Sequence, residues 1–321
     1  MRICYFPDVD LPENARPVLT LGNFDGVHLG HQKAMDLVKV RAKALSCPAA
    51  ALTFEPHPVS VLRPEKAPKR ILTPALKQEV IGEMGLDFLV IVHFTKEFSR
   101  IGPEDFVEQV LVKDLRVCEL VLGENFRFGR GRSGDLKALR KLGERHGFVV
   151  HQLEASIHKG AMISSSRIRE SLRGGQVDEA GAMLGRPFFV EGEVVEGDGR
   201  GRTIGFPTAN IKMDGDLLLD DGVYVTDAVV STGSRGASTE RFSGMTHVGR
   251  RPTFGLEERT VETHLFDFDR QIYGAKVRLH FHHRVRGTVA FDSAEALRAQ
   301  LERDRETARA FFRDTGRNLV V

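Results

Sequence analysis

The sequence predicts an α/β protein in two parts: a parallel sheet covered by helices, then a small antiparallel β-barrel with a C-terminal helix. Up to about residue 185, short apolar runs alternate with amphipathic segments, which is typical of a parallel sheet with both faces covered. Beyond that point, period-two segments follow one another without helices between them, which indicates a small antiparallel barrel or sandwich. We therefore expect one domain over residues 1–185 and a second over residues 186–321.

The predicted strands of the first half are short and apolar throughout, and they cover residues 18–21, 49–54, 88–92, 117–122 and 148–153. Helices are predicted over 31–45, from Thr73 to about 84, near 103–113 and over 135–146. Thr73 and Pro74 supply a capping hydroxyl and a first-turn proline for the second of these helices. Because parallel sheets bind ligands at the carboxyl ends of their strands, motifs at those ends are candidate sites.

The alternating segments of the second half cover residues 188–195, 223–230, 261–268 and 277–281. A final helix is predicted after Asp292 or Ser293, with Glu295 in its first turn. The polar stretch 231–239 is predicted to be a mobile hairpin connection.

Composition limits the classes of function. The 46 basic and 44 acidic residues give a net charge of +2, which argues against a general nucleic-acid-binding protein. The three cysteines are scattered along the sequence and form no C-x-x-C pair, so they predict buried or inert thiols in a reducing compartment. No apolar run has the length of a signal peptide or a membrane span, so we expect a cytoplasmic protein without a membrane partner. The oligomeric state is left open.

The stretch GNFDGVHLGH at 22–31 directly follows the first predicted strand. Gly26 and Gly30 let the backbone approach a ligand, and the helix beginning near His31 directs its positive end there. His28 and His31 can donate hydrogen bonds to phosphate oxygens. Two alternatives remain: a metal site, which lacks a third ligand at useful spacing, and a purely structural turn, which needs no paired histidines.

A second cluster, ISSSRIR at 163–169, places three hydroxyls where a helix begins and Arg167 and Arg169 in its first turn. This combination favours a triphosphate, although an N-cap followed by solvated charges is the simpler alternative. The loop GENFRFGRGR at 123–132 mixes basic and aromatic residues, which is weak evidence for RNA binding.

In the second half, the glycine-rich stretch 197–210 could fold over phosphates or form an ordinary flexible hairpin. Glu262 lies on an alternating strand, where a carboxylate is either a surface charge or a general base.

Several motifs together resemble those of bacterial bifunctional riboflavin kinase/FAD synthetases. They are G-x-F-D-G-x-H-x-G-H at 22–31, F-E-P-H-P at 54–58, G-E-N-F-x-F-G at 123–129, I-S-S-S-R-I-R at 163–169 and G-F-P-T-A-N at 205–210. The resemblance covers nearly the whole chain. It implies a Rossmann-like nucleotidyltransferase domain followed by a riboflavin kinase barrel. The implied reactions are phosphorylation of riboflavin by ATP, then transfer of AMP from ATP to FMN, giving FAD and pyrophosphate.

The resemblance also implies roles for individual residues. In adenylyl transfer, His28 and His31 would stabilise the ATP phosphates, and the other ATP-binding positions would be Gly22, Asn23, Phe24, Asp25, Gly26, Gly30, Asn125, Ser164, Ser165 and Arg167. In the kinase, Glu262 would be the catalytic base, and the ATP- or flavin-binding positions would be Gly199, Gly201, Gly205, Pro207, Thr208, Asn210 and Arg251. Mg²⁺ would enter with ATP and be held by Thr208, Asn210 and Asn125.

Two other classes of function remain. One is a nucleotidyltransferase for another small phosphorylated substrate, with the barrel acting as a flavin sensor. The other is an RNA-binding or tRNA-charging protein built on H-x-G-H. The near-neutral charge and the lack of a lysine-rich K-M-S-K-S-like loop disfavour this second class.

Overall fold

The computed structural model describes the chain except for residues 13, 198, 233–237, 254–255 and 317–321, and except for the side chains of residues 200 and 251–258. The chain divides into two compact units, Met1–Ser165 and Ser166–Val321. This division groups residues by packing, so the functional boundary after residue 185 stays a prediction.

The N-terminal unit is built on a six-stranded sheet. Its strands are β1 (Arg2–Phe6), β2 (Val18–Leu21), β3 (Ala49–Glu55), β4 (Phe88–His93), β5 (Glu119–Gly123) and β6 (Val149–Leu153). All neighbouring strands are parallel, in the order β1-β4-β3-β2-β5-β6, which confirms the predicted parallel sheet. A two-stranded hairpin follows, with β7 (Ile157–His158) and β8 (Ala161–Met162).

The helices of this unit are α1 (Leu29–Leu45), α2 (Pro58–Leu62), α3 (Pro74–Glu83), α4 (Pro103–Asp105) with a π-helical continuation over Phe106–Asp114, and α5 (Leu136–His146). The predicted cap of α3 is confirmed, because Thr73 Oγ1 accepts a hydrogen bond from the Leu76 amide at 3.3 Å. The prediction missed β1, a strand at the sheet edge whose burial pattern leaves only Cys4 fully buried.

The strand order reverses beside β2. From β2 the chain adds β3 and β4 on one side, and later adds β5 and β6 on the other. Such a switch point opens a crevice at the carboxyl ends of the central strands. The loops after β2 and β5 therefore both begin at this crevice, as the sequence predicts.

The C-terminal unit contains a closed barrel. Its strands are β9 (Phe188–Val195), β10 (Ala209–Met213), β11 (Gly222–Thr232), β12 (Ser238–Thr253), β13 (Leu256–Leu265) and β14 (Lys276–Arg286). They close in the order β10-β13-β12-β11-β14-β9 with antiparallel neighbours, which decides between barrel and sandwich. The four predicted strands are confirmed, the first with the predicted ends and the other three with shifted ends, whereas β10 and β12 were missed. β12 includes Gly244 and Gly249 and several charged residues, so its sequence lacks a clear alternation.

The remaining helices are α6 (Ser165–Arg173), α7 (Val177–Leu184), α8 (Arg200–Thr203) and α9 (Ala294–Asp314). The expectation that no helix interrupts the barrel strands is wrong, because α8 lies between β9 and β10. Ser293 caps α9 by accepting a hydrogen bond from the Ala296 amide at 3.1 Å. Asp304, 1% exposed, fixes this helix to the barrel because it accepts from Arg286 at 2.8 Å.

Three smaller expectations have mixed outcomes. β11 and β12 pair up to Thr232 and Ser238, as a hairpin requires, but the rest of the 231–239 connection lies mainly outside the described residues. All three cysteines are free thiols, as predicted, and the Sγ atoms of Cys47 and Cys118 lie 3.7 Å apart. Among the helices that the structure describes, none combines the length and apolar character needed to cross a bilayer.

Candidate active sites

The loop between β2 and α1 has an unusual backbone conformation. Phe24, Gly26 and Val27 have φ values of 50°, 82° and 43°. Left-handed conformations are rare for aromatic and β-branched residues, and each costs about 1–3 kcal/mol. Phe24 and Val27 are also almost fully buried, at 2% and 0% exposure. The loop is therefore held in this shape by its surroundings.

Hydrogen bonds from several segments hold this loop. Asp25 Oδ1 accepts from the Ile71 amide at 3.0 Å and from the Leu72 amide at 3.4 Å. The Asp25 carbonyl accepts from Ser165 Oγ at 2.8 Å. Since Ser165 is the first residue of α6, the two motifs predicted to bind one triphosphate meet in the structure.

The two histidines form a stacked pair at the start of α1. This helix begins at Leu29 rather than near His31, and His28 is its N-cap, with Nδ1 accepting from the His31 amide at 3.4 Å. The ring centroids of His28 and His31 lie 3.6 Å apart, at an interplanar angle of 16°. A Cβ on Gly30 would lie 3.1 Å from Cε1 of His28, so glycine leaves room for the stacked ring.

Burial keeps both imidazoles neutral near neutral pH. It lowers the pKa of His28 to about 4, and it lowers the pKa of His31 well below the usual range, with further contributions from His28 and Lys77. Nδ1 of His31 is buried and has no hydrogen-bond partner among the residues that the structure describes. The pair can therefore act as neutral donors to an anion.

The depressed pKa of His28 predicts a pH-dependent stability. Between pH 6.5 and about 4 the unfolded chain binds a proton at His28 that the folded chain does not, so acidification lowers the free energy of unfolding. The free energy of unfolding falls by about 3 kcal/mol over this range. It falls no further at a pH below the folded-state pKa of His28. Urea unfolding of wild type and His28→Gln from pH 7 to pH 4 measures it. We expect a smaller loss in the variant, and parallel curves would contradict the prediction.

Of the remaining predicted ATP-binding residues, Gly22 directly precedes the loop, whereas Asn125, Ser164 and Arg167 belong to later segments of the chain. A Cβ on Gly22 would lie 2.9 Å from the Phe24 ring. Asn125 is exposed just after β5, and its Nδ2 contacts Met162 Sδ at 3.6 Å. Ser164 and Arg167 are partly buried on either side of the start of α6.

Sequence reasoning missed two residues that contact Asn23 in this loop, His57 and Lys77. Asn23 Nδ2 lies 3.2 Å from Nε2 of His57, a residue of the F-E-P-H-P motif at 54–58. The Asn23 carbonyl accepts from Lys77 Nζ at 3.3 Å. A lysine on the buried face of α3, beside Leu76, Val80 and Ile81, was the available signal.

In the barrel, the glycine-rich stretch folds into a closed turn around α8. Gly199 and Gly205 have φ values of 68° and 84°. The Gly201 carbonyl accepts from the Phe206 amide at 2.8 Å. The Pro207 carbonyl lies 2.8 Å from His264 Nδ1, which fixes the end of the turn to β13. The turn presents Thr208, which is exposed, directly before β10.

β10 and β13 bring two predicted kinase residues together. Asn210 lies directly opposite Glu262 in the antiparallel register. Side chains at such opposed positions share a face, with Cβ atoms about 4.5–5.5 Å apart. Glu262 is partly buried, and its Oε1 accepts from Thr260 Oγ1 at 3.4 Å. The candidate base thus lies beside a candidate magnesium ligand from a segment far away in sequence.

β12 adds a residue that sequence reasoning missed. His247 lies opposite Glu262 on its other side, and its ring lies over Gly249, whose Cβ would be 2.4 Å from His247 Cε1. Burial lowers the pKa of His247; Glu262 acts against this effect, and Arg286 adds to it. The backbone of Arg251 lies opposite Glu258, but its side chain is outside the described part of the chain, so its role stays a prediction.

The two units match two families of known proteins. A family model described as FAD synthetase matches residues 10–167, and one described as riboflavin kinase matches residues 184–312. A bifunctional riboflavin kinase/FMN adenylyltransferase of Escherichia coli strain K12 is 35% identical over 295 residues, 92% of each chain. One of Bacillus subtilis strain 168 is 36% identical over 307 residues, 94% of each chain.

A solved structure has the same fold over nearly the whole chain. It is named a macrolide-efflux protein from Streptococcus pneumoniae, with a TM-score of 0.83 and 31% sequence identity. The match covers 94% of this chain and 96% of that one. Because this name differs from those of the relatives above, the likeness supports the fold alone.

Proposed function

Because the chain belongs to the family of bifunctional riboflavin kinase/FMN adenylyltransferases, we propose that it converts riboflavin to FMN and then FMN to FAD. Residues 1–185 carry adenylyl transfer and residues 186–321 carry phosphorylation. One observation carries the two-site proposal: two pairs of candidate residues lie in different units, the His28–His31 pair in one and the Asn210–Glu262 pair in the other.

In adenylyl transfer, the FMN phosphate attacks the α-phosphorus of ATP, and pyrophosphate leaves. This reaction needs no nucleophile from the protein, so the protein contributes positioning and charge stabilisation. The neutral rings of His28 and His31 donate hydrogen bonds to the phosphates as negative charge shifts onto the leaving group. The start of α6, with Ser164, Ser165 and Arg167, holds the triphosphate.

In the kinase reaction, the ribityl 5′-hydroxyl of riboflavin attacks the γ-phosphorus of ATP, and ADP leaves. Glu262 accepts the proton of that hydroxyl, as a general base within hydrogen-bond reach can do. The glycine turn at 199–205 covers the phosphates, and Pro207 leads into the strand that carries Asn210. The pairing of Glu262 with Asn210 favours this reaction over the flavin-sensor alternative, which needs no base.

Both reactions use ATP with magnesium. The residues present fit a hard divalent cation, because Thr208, Asn210 and Asn125 offer neutral oxygen donors, and Thr208 and Asn125 are exposed. Bound Mg²⁺ would neutralise phosphate charge. Asn125 would hold it in the N-terminal unit, and Thr208 and Asn210 in the barrel.

Incubation of the protein with riboflavin, ATP and Mg²⁺ tests the function directly. We expect FMN to accumulate first and FAD afterwards, as measured by chromatography of the flavins. A parallel reaction started from FMN isolates the second step, and a reaction without ATP is the blank. Flavin that stays unmodified would overturn the proposed function.

A further inference from the structure

Lys77 is a buried cation of the N-terminal unit, in contact with the loop between β2 and α1. It is 5% exposed, although lysine is rarely buried without partners. Its Nζ lies 2.5 Å from Glu55 Oε1 and 3.2 Å from Thr53 Oγ1. The third partner of Nζ is the Asn23 carbonyl oxygen, at 3.3 Å.

This third contact links the cation to the loop of the histidine pair. Asn23 is the residue before Phe24, where the backbone turns left-handed. Thr53 Oγ1 also donates to the Asn23 carbonyl, at 3.3 Å, so a single oxygen receives both side chains. A carbonyl fixed by two donors restricts the peptide plane that precedes the turn, and with it the direction in which the chain enters α1.

We propose that Lys77 is a positioning residue of the adenylyltransferase site, whose ammonium group fixes the Asn23 carbonyl. The inference rests on the proposed function for the role of the histidines. Lys77 does two things there. It holds the loop in the shape that stacks His28 on His31, and its positive charge contributes to keeping the His31 ring neutral.

The electrostatics of the surroundings agree with this role. Lys77 contributes to the lowered pKa of His31, after burial and the neighbouring His28. The other titratable or charged groups around the loop are Asp25, Glu55, His57 and Arg70, the last lying 3.5 Å from Glu55. Because Glu55 has this second cation, removal of Lys77 does not leave its carboxylate without a neighbouring charge.

The test compares Lys77→Met with Lys43→Met, the same change at an exposed position of α1. Three quantities are measured on the full chain: kcat and KM for adenylyl transfer to FMN, the rate of riboflavin phosphorylation, and the pKa of His31 from NMR titration of the ring signals. Signals are assigned with His28→Gln and His31→Gln. The kinase reaction is an internal reference, because it is proposed to use the other unit.

In Lys77→Met we expect kcat for adenylyl transfer to fall on the order of 10- to 100-fold, the effect of a small displacement of positioned groups. We expect KM to change much less, the kinase rate to match wild type, and the pKa of His31 to rise. Lys43→Met should leave all of these unchanged. A merely structural lysine would not move the His31 titration.

Other outcomes overturn the inference. An unchanged His31 titration refutes the electrostatic role, and a kcat equal to that of Lys43→Met refutes positioning. If Lys77→Met does not fold, the double variant Lys77→Met/Glu55→Gln removes both charges together. The same kcat for adenylyl transfer and the same His31 titration are then measured on it, with the same expected results. If wild type itself shows no adenylyl transfer, the proposed function fails, and the His31 titration alone then decides whether Lys77 controls that ring.

Discussion

Glu262→Gln is expected to abolish FMN formation from riboflavin, while FAD formation from supplied FMN continues at the wild-type rate. Glutamine keeps the shape of the side chain and its position opposite Asn210, but it cannot accept the hydroxyl proton. Loss of a positioned general base lowers kcat by roughly 10²- to 10⁴-fold. The measurement is the rate of each step separately, with riboflavin or FMN as the starting flavin.

Glu240→Gln is the matched control for this variant. Glu240 lies on β12, seven residues before His247, which is the residue opposite Glu262. It forms an ion pair with Arg270. The same loss of a carboxylate there should leave both rates unchanged. If Glu262→Gln is folded and loses both activities in parallel, the assignment of the two reactions to separate units is refuted.

The double variant His28→Ala/His31→Ala is expected to show the opposite pattern, with adenylyl transfer lost and FMN formation retained. Removal of one hydrogen-bond donor to developing negative charge costs on the order of 10²- to 10³-fold in kcat, and this variant removes two. It also removes the side-chain cap of α1, so the stability of the N-terminal unit should fall by about 1 kcal/mol as well. Activity is therefore compared at a temperature at which circular dichroism shows the variant folded.

His146→Ala serves as the matched control for the histidine pair. His146 ends α5 in the same unit and has Glu108 3.4 Å away. It should retain adenylyl transfer. A kinase defect as large as the adenylyl-transfer defect in His28→Ala/His31→Ala would count against the role proposed for this pair.

Much of the fold could be predicted because its determinants are local. The strands of the N-terminal sheet are short apolar runs, and Thr73 and Ser293 are recognisable helix caps. The strands that were missed lack such a signal. β1 is an edge strand with mostly exposed side chains, and β10 is a five-residue strand directly after a glycine-rich turn. Their strand conformation depends on partners elsewhere in the chain, which local periodicity does not register.

Some residues of the candidate sites could likewise be identified from the sequence, and others could not. The motif residues could be selected from the sequence because glycines, paired histidines and clustered hydroxyls are unusual at strand and helix ends. Lys77 and His247 could not, because a lysine within a helix and a histidine within a strand look ordinary until their neighbours are known. Lys77 is set apart by its burial under the Asn23 carbonyl, and His247 by its register with Glu262.

By itself, the sequence determined the two-part α/β and barrel architecture, the motifs and the family they resemble, because these depend on residue type and spacing along the chain. Only the tertiary structure decided that Ser165 reaches the Asp25 carbonyl, that His28 and His31 stack as neutral rings, and that Asn210 lies opposite Glu262. The physical reason is that burial, strand register and hydrogen bonding between distant segments arise only when the chain closes on itself. Those same properties set the pKa of each histidine and the shape of the loop after β2.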